Sequence, residues 1–202
     1  MNARIEKYLV AYNLVQLTGW LAAIIVLPFN LLYSFWIILF CQIFSLLEIF
    51  HAYKKWTNSS PFLCFIQTGA RLMILYFSII ILCSIYLQPL NFFFTKHRAE
   101  SIIYLMFASW CVAEIIRYTY YSTELLNQKL KGIVWLRYNA FILCYPVGLI
   151  CEIYIIVNLF VITSLYVKIF LILVLIAYMF LFPRLYLHLL KQRKLKLNSN
   201  NK

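Results

Sequence analysis

The sequence predicts an all-α membrane protein, a six-transmembrane-helix bundle with both termini cytosolic. Three observations carry that expectation. Of the 202 residues, 65% are hydrophobic and the mean hydropathy is +0.86, whereas a soluble domain is about 45–50% apolar. Only 12% are charged, against about 25% in ordinary domains. The apolar residues also gather into six runs, each near the roughly 20 residues that cross a bilayer as a helix. Residues 1–190 therefore read as a single membrane domain, with residues 191–202 (KQRKLKLNSNNK) as a basic polar tail.

The first run, residues 8–29, is longer than a signal-peptide core and lacks a small-x-small cleavage pattern, so it reads as a span rather than a removable leader. PFN (28–30) breaks it from the second, 31–53. KKWTNSS precedes Pro61 and the third span, 61–87. The long segment QPLNFFFTKHRAE (88–100) leads to the fourth, 101–121, and STELLNQKLKGI (122–133) to the fifth, 134–160. A short turn at Thr163 and Ser164 opens the sixth, 165–190.

Six crossings put both ends on one side, and the charges agree. That side would hold Arg4, Lys7, Lys54, Lys55, Lys129, Lys131, Arg137, Lys191, Arg193, Lys194, Lys196 and Lys202, against Lys96, Arg98 and Lys168 opposite. Twelve against three is a positive-inside bias, which makes the termini cytosolic. The net charge of +12 thus reads as membrane orientation and not as a nucleic-acid surface. Asn58-Ser59-Ser60 fits the N-x-S glycosylation pattern, but this topology leaves it in a cytosolic loop and unmodified. The six cysteines all lie in apolar runs without a CxxC pair, so they are expected as reduced apolar fillers, and no metal site is expected.

Charged side chains inside a span are costly and usually functional. Here they are few: Glu48, Arg71, Glu114, Arg117 and Glu152, with Arg184 near enough to an end to snorkel. Glu114, Arg117 and Tyr118 share one helical stripe at spacings of three and four. This is either a structural salt bridge or a hydrogen-bonding wall of a pocket. Glu48 and His51 form a further i, i+3 pair, expected at the water interface. Gln67 and Arg71 lie four apart in the third span, and Arg71 needs an acid from another helix, with Glu114 and Glu152 as the deep candidates.

Residues 145–152, YPVGLICE, hold the most pointed combination. Tyr145 and Glu152 are seven apart, nearly two full turns, so they share a helix face about 10 Å apart along the axis. Pro146 frees the carbonyl of Ile142, and Gly148 permits close approach. A freed carbonyl at membrane depth is tolerated against protein or a wet cavity. The combination is either a packing kink with a paired glutamate or the wall of a polar pocket.

LRYNAFILCYPVGLICE (136–152) resembles the signature of the very-long-chain 3-hydroxyacyl-CoA dehydratases, once called protein-tyrosine-phosphatase-like. YLVAYNLVQLTGW (8–20), LLEIFHA (46–52), SPFLCFIQTGAR (60–71) and WCVAEIIRYTYY (110–121) resemble the family's first four spans in order. The resemblance departs at Gly69-Ala70-Arg71, where the family usually has a serine before the arginine, and at the tail SNNK, which lacks the di-lysine signal of some members. It implies a multi-pass lyase of the endoplasmic reticulum membrane that works in fatty-acid elongation. Such an enzyme takes water from a (3R)-3-hydroxyacyl-CoA to give the trans-2-enoyl-CoA.

On this resemblance Tyr145 and Glu152 are the catalytic pair, while Arg71, Gln67, Glu114, Arg117 and Tyr118 orient the pair or the substrate. No cofactor is implied. The implied partners are the acyl-CoA, the bilayer and the other elongation enzymes (condensing enzyme, ketoacyl-CoA reductase, enoyl-CoA reductase). The elimination needs a base at the α-proton and an acid at the 3-hydroxyl. Glu152 is assigned to the hydroxyl and Tyr145 to the α-proton or thioester carbonyl, and the reverse assignment stays open. Lys54, Lys55, Lys129, Lys131 and Arg137 would attract the anionic CoA. A catalytically silent scaffold of the elongase complex is the alternative reading. A transporter fits poorly, since no inverted repeat or pair of broken helices is visible. The spacing Cys111-x5-Arg117 imitates a phosphatase loop but lies within an apolar helix without glycine, so phosphatase chemistry is not expected.

Overall fold

The computed structural model describes residues 3–57, 59–87, 96–128 and 130–199, with the side chains of 85–87, 96, 188 and 195–199 left aside. Asn58 of the sequon, Lys129, Lys202 and residues 88–95 of the long third connection lie outside the described residues, as do the side chains of Lys96 and Lys196. The chain forms α1 (Ala3–Val26), α2 (Leu31–Phe44), α3 (Leu47–Tyr53), α4 (Pro61–Leu87), α5 (Lys96–Leu125), α6 (Lys131–Arg137), α7 (Ala140–Ile162) and α8 (Leu165–Ser199). Six segments are long and apolar enough to cross a membrane: α1, α2 with α3, α4, α5, α6 with α7, and α8. The all-α, six-span fold class is thus realised. Residues 191–199 of the polar tail continue the last helix.

Two spans are broken where the sequence predicts continuous helices. In the second, the Ser45 hydroxyl bonds the carbonyl of Cys41 and the chain tightens to an i→i−3 bond from Leu46 to Ile43 before α3 begins. Ser and Thr side chains that bond back to the preceding turn often bend helices in this way. In the fifth, Asn139 Nδ2 bonds the carbonyl of Trp135, and Arg193 of α8 reaches Asn139 Oδ1 at 2.9 Å. Polar side chains there satisfy the backbone that the break frees, as a bilayer requires.

The bundle is centred on α5, which packs against α1 and α7, with α2 and α4 completing the ring and α8 laid along α7. Its two ends differ in character. The end formed by the C-terminal halves of α1, α4 and α7 and the N-terminal halves of α2 and α5 is dry, filled by Trp20, Ile38, Ile74, Leu75, Met106, Phe107, Ile155 and Ile156, all fully buried. The opposite end collects the buried or half-buried polar groups Gln42, His51, Thr68, Glu114 and Glu48.

Helices in lipid associate by close packing at small residues, and α1 shows this along Gly19 and Ala23. The Ser34 hydroxyl donates to the Ala23 carbonyl at 3.0 Å. A Cβ at Gly19 would stand 2.5 Å from Cys41 Sγ. Gly19→Ala is therefore expected to destabilise the protein by about 1–3 kcal/mol, the range for overpacking. Adding Cys41→Ala should recover most of that loss, as read by thermal unfolding in detergent. Absence of rescue would show that the α1–α2 contact is not what excludes the methyl group.

Candidate active site

The polar end encloses a cavity of about 950 Å³, at the upper end of the roughly 300–1,000 Å³ usual for small-molecule sites. Its mouth is ringed by helix ends: Lys55 after α3, Ser60 before α4, Leu125 of α5, Arg137 of α6 and Gln192 of α8. Its floor is set by Asn13, Gln42, Arg71, Ser109, Trp110, Glu152 and Tyr178, the deepest lining residues of their helices. From Gln192 down to Tyr178 is fourteen residues of α8, about 21 Å of helix.

Tyr145 and Glu152 both line this cavity. α7 carries them on one face, as their spacing predicts, with Glu152 at the floor and Tyr145 about 10 Å nearer the mouth. Pro146 lies between them inside α7. The Glu152 carboxyl is gripped by two donors from other helices. Trp110 Nε1 of α5 donates to Oε1 at 3.1 Å, and the Tyr178 hydroxyl of α8 donates to Oε2 at 2.7 Å. Tyr145 packs its ring edge-on against Phe141, and its hydroxyl makes no hydrogen bond among the described residues. Gly148 is buried and meets α5 at ordinary distance, since an added Cβ would lie 3.5 Å from Ser109 Oγ and 3.6 Å from Trp110 Nε1.

Beside this pair runs a ladder of alternating charge. Arg71 Nη1 bonds Glu114 Oε1, and Arg117 bonds Glu114 Oε2 through Nε at 2.7 Å. The other edge of Arg117 forms a two-pronged pair with Glu48, at 2.8 and 2.9 Å. The Tyr118 hydroxyl also donates to Glu48 Oε1. Two acids face two arginines, so the ladder is neutral, as charge in a low-dielectric setting needs to be. Arg71 joins it to the other half of the site: its guanidinium lies 5.2 Å from the centre of the Trp110 ring, whose N–H holds Glu152.

The structure thus gathers Arg71, Gln67, Glu114, Arg117, Tyr145 and Glu152 around one cavity, with Tyr118 buried against the ladder behind it. Of the two acids open to Arg71, Glu114 takes it. The expected Glu48–His51 interfacial pair does not form. Glu48 turns to Arg117, and His51 is buried, with its Nε2 2.9 Å from the Tyr8 hydroxyl and its ring stacked on Trp56. An arginine across the bundle offers a carboxylate two charge-assisted bonds, which a neighbouring imidazole cannot match. Trp110 and Tyr178 carry no charge and were not singled out by sequence. All six cysteines are free. Cys111 is fully buried within α5 and Arg117 is held by two glutamates, so the C-x5-R spacing builds no phosphate loop.

Residues 42–199 match the family described as protein tyrosine phosphatase-like protein, PTPLA. The chain belongs to this family. Among its relatives is the mouse (Mus musculus) very-long-chain (3R)-3-hydroxyacyl-CoA dehydratase 2, 31% identical over 213 residues, which cover 93% of this chain and 79% of the mouse protein. The dog (Canis lupus familiaris) dehydratase 1 is 31% identical over 77% of this chain and 64% of its own length. A probable very-long-chain (3R)-3-hydroxyacyl-CoA dehydratase of Schizosaccharomyces pombe is 32% identical over 108 residues, 53% of this chain and 46% of the yeast protein. No solved structure matches the chain. The cavity and charge ladder therefore describe a site in a PTPLA-family chain whose named relatives are dehydratases.

Proposed function

We propose that this chain is a (3R)-3-hydroxyacyl-CoA dehydratase of the endoplasmic reticulum membrane, acting on very-long-chain substrates within fatty-acid elongation. The observation that carries the reading is the placement of Tyr145 and Glu152 on one face of α7, in one cavity, with the carboxyl at its floor. The names of the relatives point to the same chemistry.

In the elimination, the C2–H proton goes to a base, the C3–O bond breaks, the hydroxyl takes a proton and leaves as water, and a C2=C3 double bond forms. No net oxidation or reduction occurs, so a proton acceptor and a proton donor suffice. Glu152, fixed by Trp110 and Tyr178, acts at the hydroxyl, and Tyr145, with its phenol open to the cavity, acts at the α-proton or the thioester carbonyl. Arg71 and the ladder hold the floor in register. With the mouth on the cytosolic side, Lys55 and Arg137 at its rim draw in the CoA phosphates, and the slender pantetheine arm carries the thioester down. The product would pass to the enoyl-CoA reductase of the same cycle, and the substrate would come from the ketoacyl-CoA reductase.

The test uses purified protein in bilayer discs with a very-long-chain (3R)-3-hydroxyacyl-CoA, followed by chromatography of the acyl-CoA products. Formation of trans-2-enoyl-CoA by the wild type, lowered about 10²–10⁴-fold in the Tyr145→Phe/Glu152→Gln double variant, is expected. A folded wild type that produces none would leave the scaffold reading standing in its place.

A further inference from the structure

The cavity has a floor, and that creates a problem for a long substrate. With the reacting carbons at Glu152, the acyl chain beyond them cannot continue downward. Ile74 of α4, Met106 and Phe107 of α5 and Ile155 and Ile156 of α7 seal the next layer, each no more than 1% exposed, and no residue below the floor lines the cavity. The tail must therefore leave sideways, through a wall between the floor and the mouth.

One wall is incomplete. α4 packs on α2, α3, α5 and α7, whereas α8 packs substantially on α7 alone and at most grazes α4. Both α4 and α8 nonetheless line the cavity, through Leu63 and Gln67 on one side and Phe182 and Leu185 on the other. Leu63, in the first turn of α4 and three residues past Ser60 at the mouth, is 47% exposed while also facing the cavity, so the gap between α4 and α8 begins at the mouth and runs down toward Gln67 and Phe182. The outer faces of α8 beside this gap are apolar and uncovered by protein, with Phe180 and Leu181 both exposed.

We infer that the α4–α8 seam is a lateral portal through which the acyl chain of the substrate lies out into the bilayer. The head of the substrate enters from the aqueous mouth, while its tail stays in lipid throughout the reaction. Chain length is then unlimited by cavity volume, and the tail's transfer from lipid costs nothing, because it never leaves lipid. This inference rests on the dehydratase reading.

The experiment compares short and very long (3R)-3-hydroxyacyl-CoAs on the wild type, Leu63→Trp, Leu185→Trp and the pair. Narrowing the gap is expected to lower the long-to-short ratio of kcat/KM at least tenfold. A ratio that stays within twofold of wild type overturns the portal. A second measurement needs only the wild type: a very long 3-hydroxyacyl-CoA with a diazirine at its chain end is photolysed in bilayer discs. Labelling of lipid or of the outer faces of α4 and α8 is expected, and labelling of Ile74, Met106 or Ile155 would refute the inference. A wild type inactive on both chain lengths would instead refute the dehydratase reading itself.

Discussion

Glu152→Gln is expected to lower kcat by about 10²–10⁴-fold, the usual contribution of a positioned acid or base, with KM for the acyl-CoA little changed. Glutamine preserves the shape of the side chain and can still accept from Trp110 or Tyr178, so the protein should remain folded. Tyr145→Phe is expected to lose a similar factor. If the two residues act on one substrate in one elimination, the double variant should be scarcely worse than either single one, as residues acting as a unit are non-additive. Full activity in either single variant removes that residue from the chemistry.

The grip on Glu152 extends this prediction to residues that need not touch substrate. An ordinary hydrogen bond contributes about 0.5–1.5 kcal/mol net, so Tyr178→Phe should reduce kcat roughly 2- to 10-fold. Trp110→Phe should act in the same direction, since it removes the bond to the other oxygen. The decisive readout is the background dependence. In Glu152→Gln, whose residual kcat no longer depends on the carboxyl, Tyr178→Phe should cost nothing further in kcat. A loss of equal size in both backgrounds would make Tyr178 a packing residue.

The limits of the sequence reading follow from where each signal resides. The six spans were legible because a run of apolar residues is a local property and the bilayer sets its length. The breaks at Ser45 and Asn139 were not, because both are repaired by side-chain bonds to the preceding turn, and a serine or asparagine in a span gives no sign of which way it will bond. Glu114 with Arg117 was readable because helix geometry alone makes three-apart residues neighbours. Glu48 with Arg117 was not, since the two are 69 residues apart and only the tertiary fold, which sets α3 and α5 around one cavity, pairs them. Tyr178 shows the limit most plainly. Among 16 tyrosines nothing marks it, and its role appears only when α8 lies along α7 and brings its hydroxyl to Glu152.

The ladder itself yields the largest expected effect on stability. Glu114 is 4% exposed and answers two arginines at once. Glu114→Ala leaves Arg71 without an acid and Arg117 with Glu48 alone, and breaking a buried ion pair from one side costs about 3–5 kcal/mol. Glu114→Gln keeps the volume and one acceptor oxygen but still leaves the neighbouring cations under-compensated, so it should fall between alanine and wild type. The compensating experiment removes charge from both sides. Glu114→Gln combined with Arg71→Met takes away one acid and one cation, leaving Arg117 paired with Glu48. It should be more stable than Glu114→Gln alone, because an apolar replacement for a buried pair is often neutral or better. Activity should not return with that stability, since Arg71 also caps the Trp110 ring that holds Glu152. Thermal unfolding in detergent and single-turnover dehydration, measured on the same preparations, separate the two contributions. A double variant no more stable than Glu114→Gln alone would show that Arg71 is not left stranded by loss of the acid, and that the ladder is held by something other than its charges.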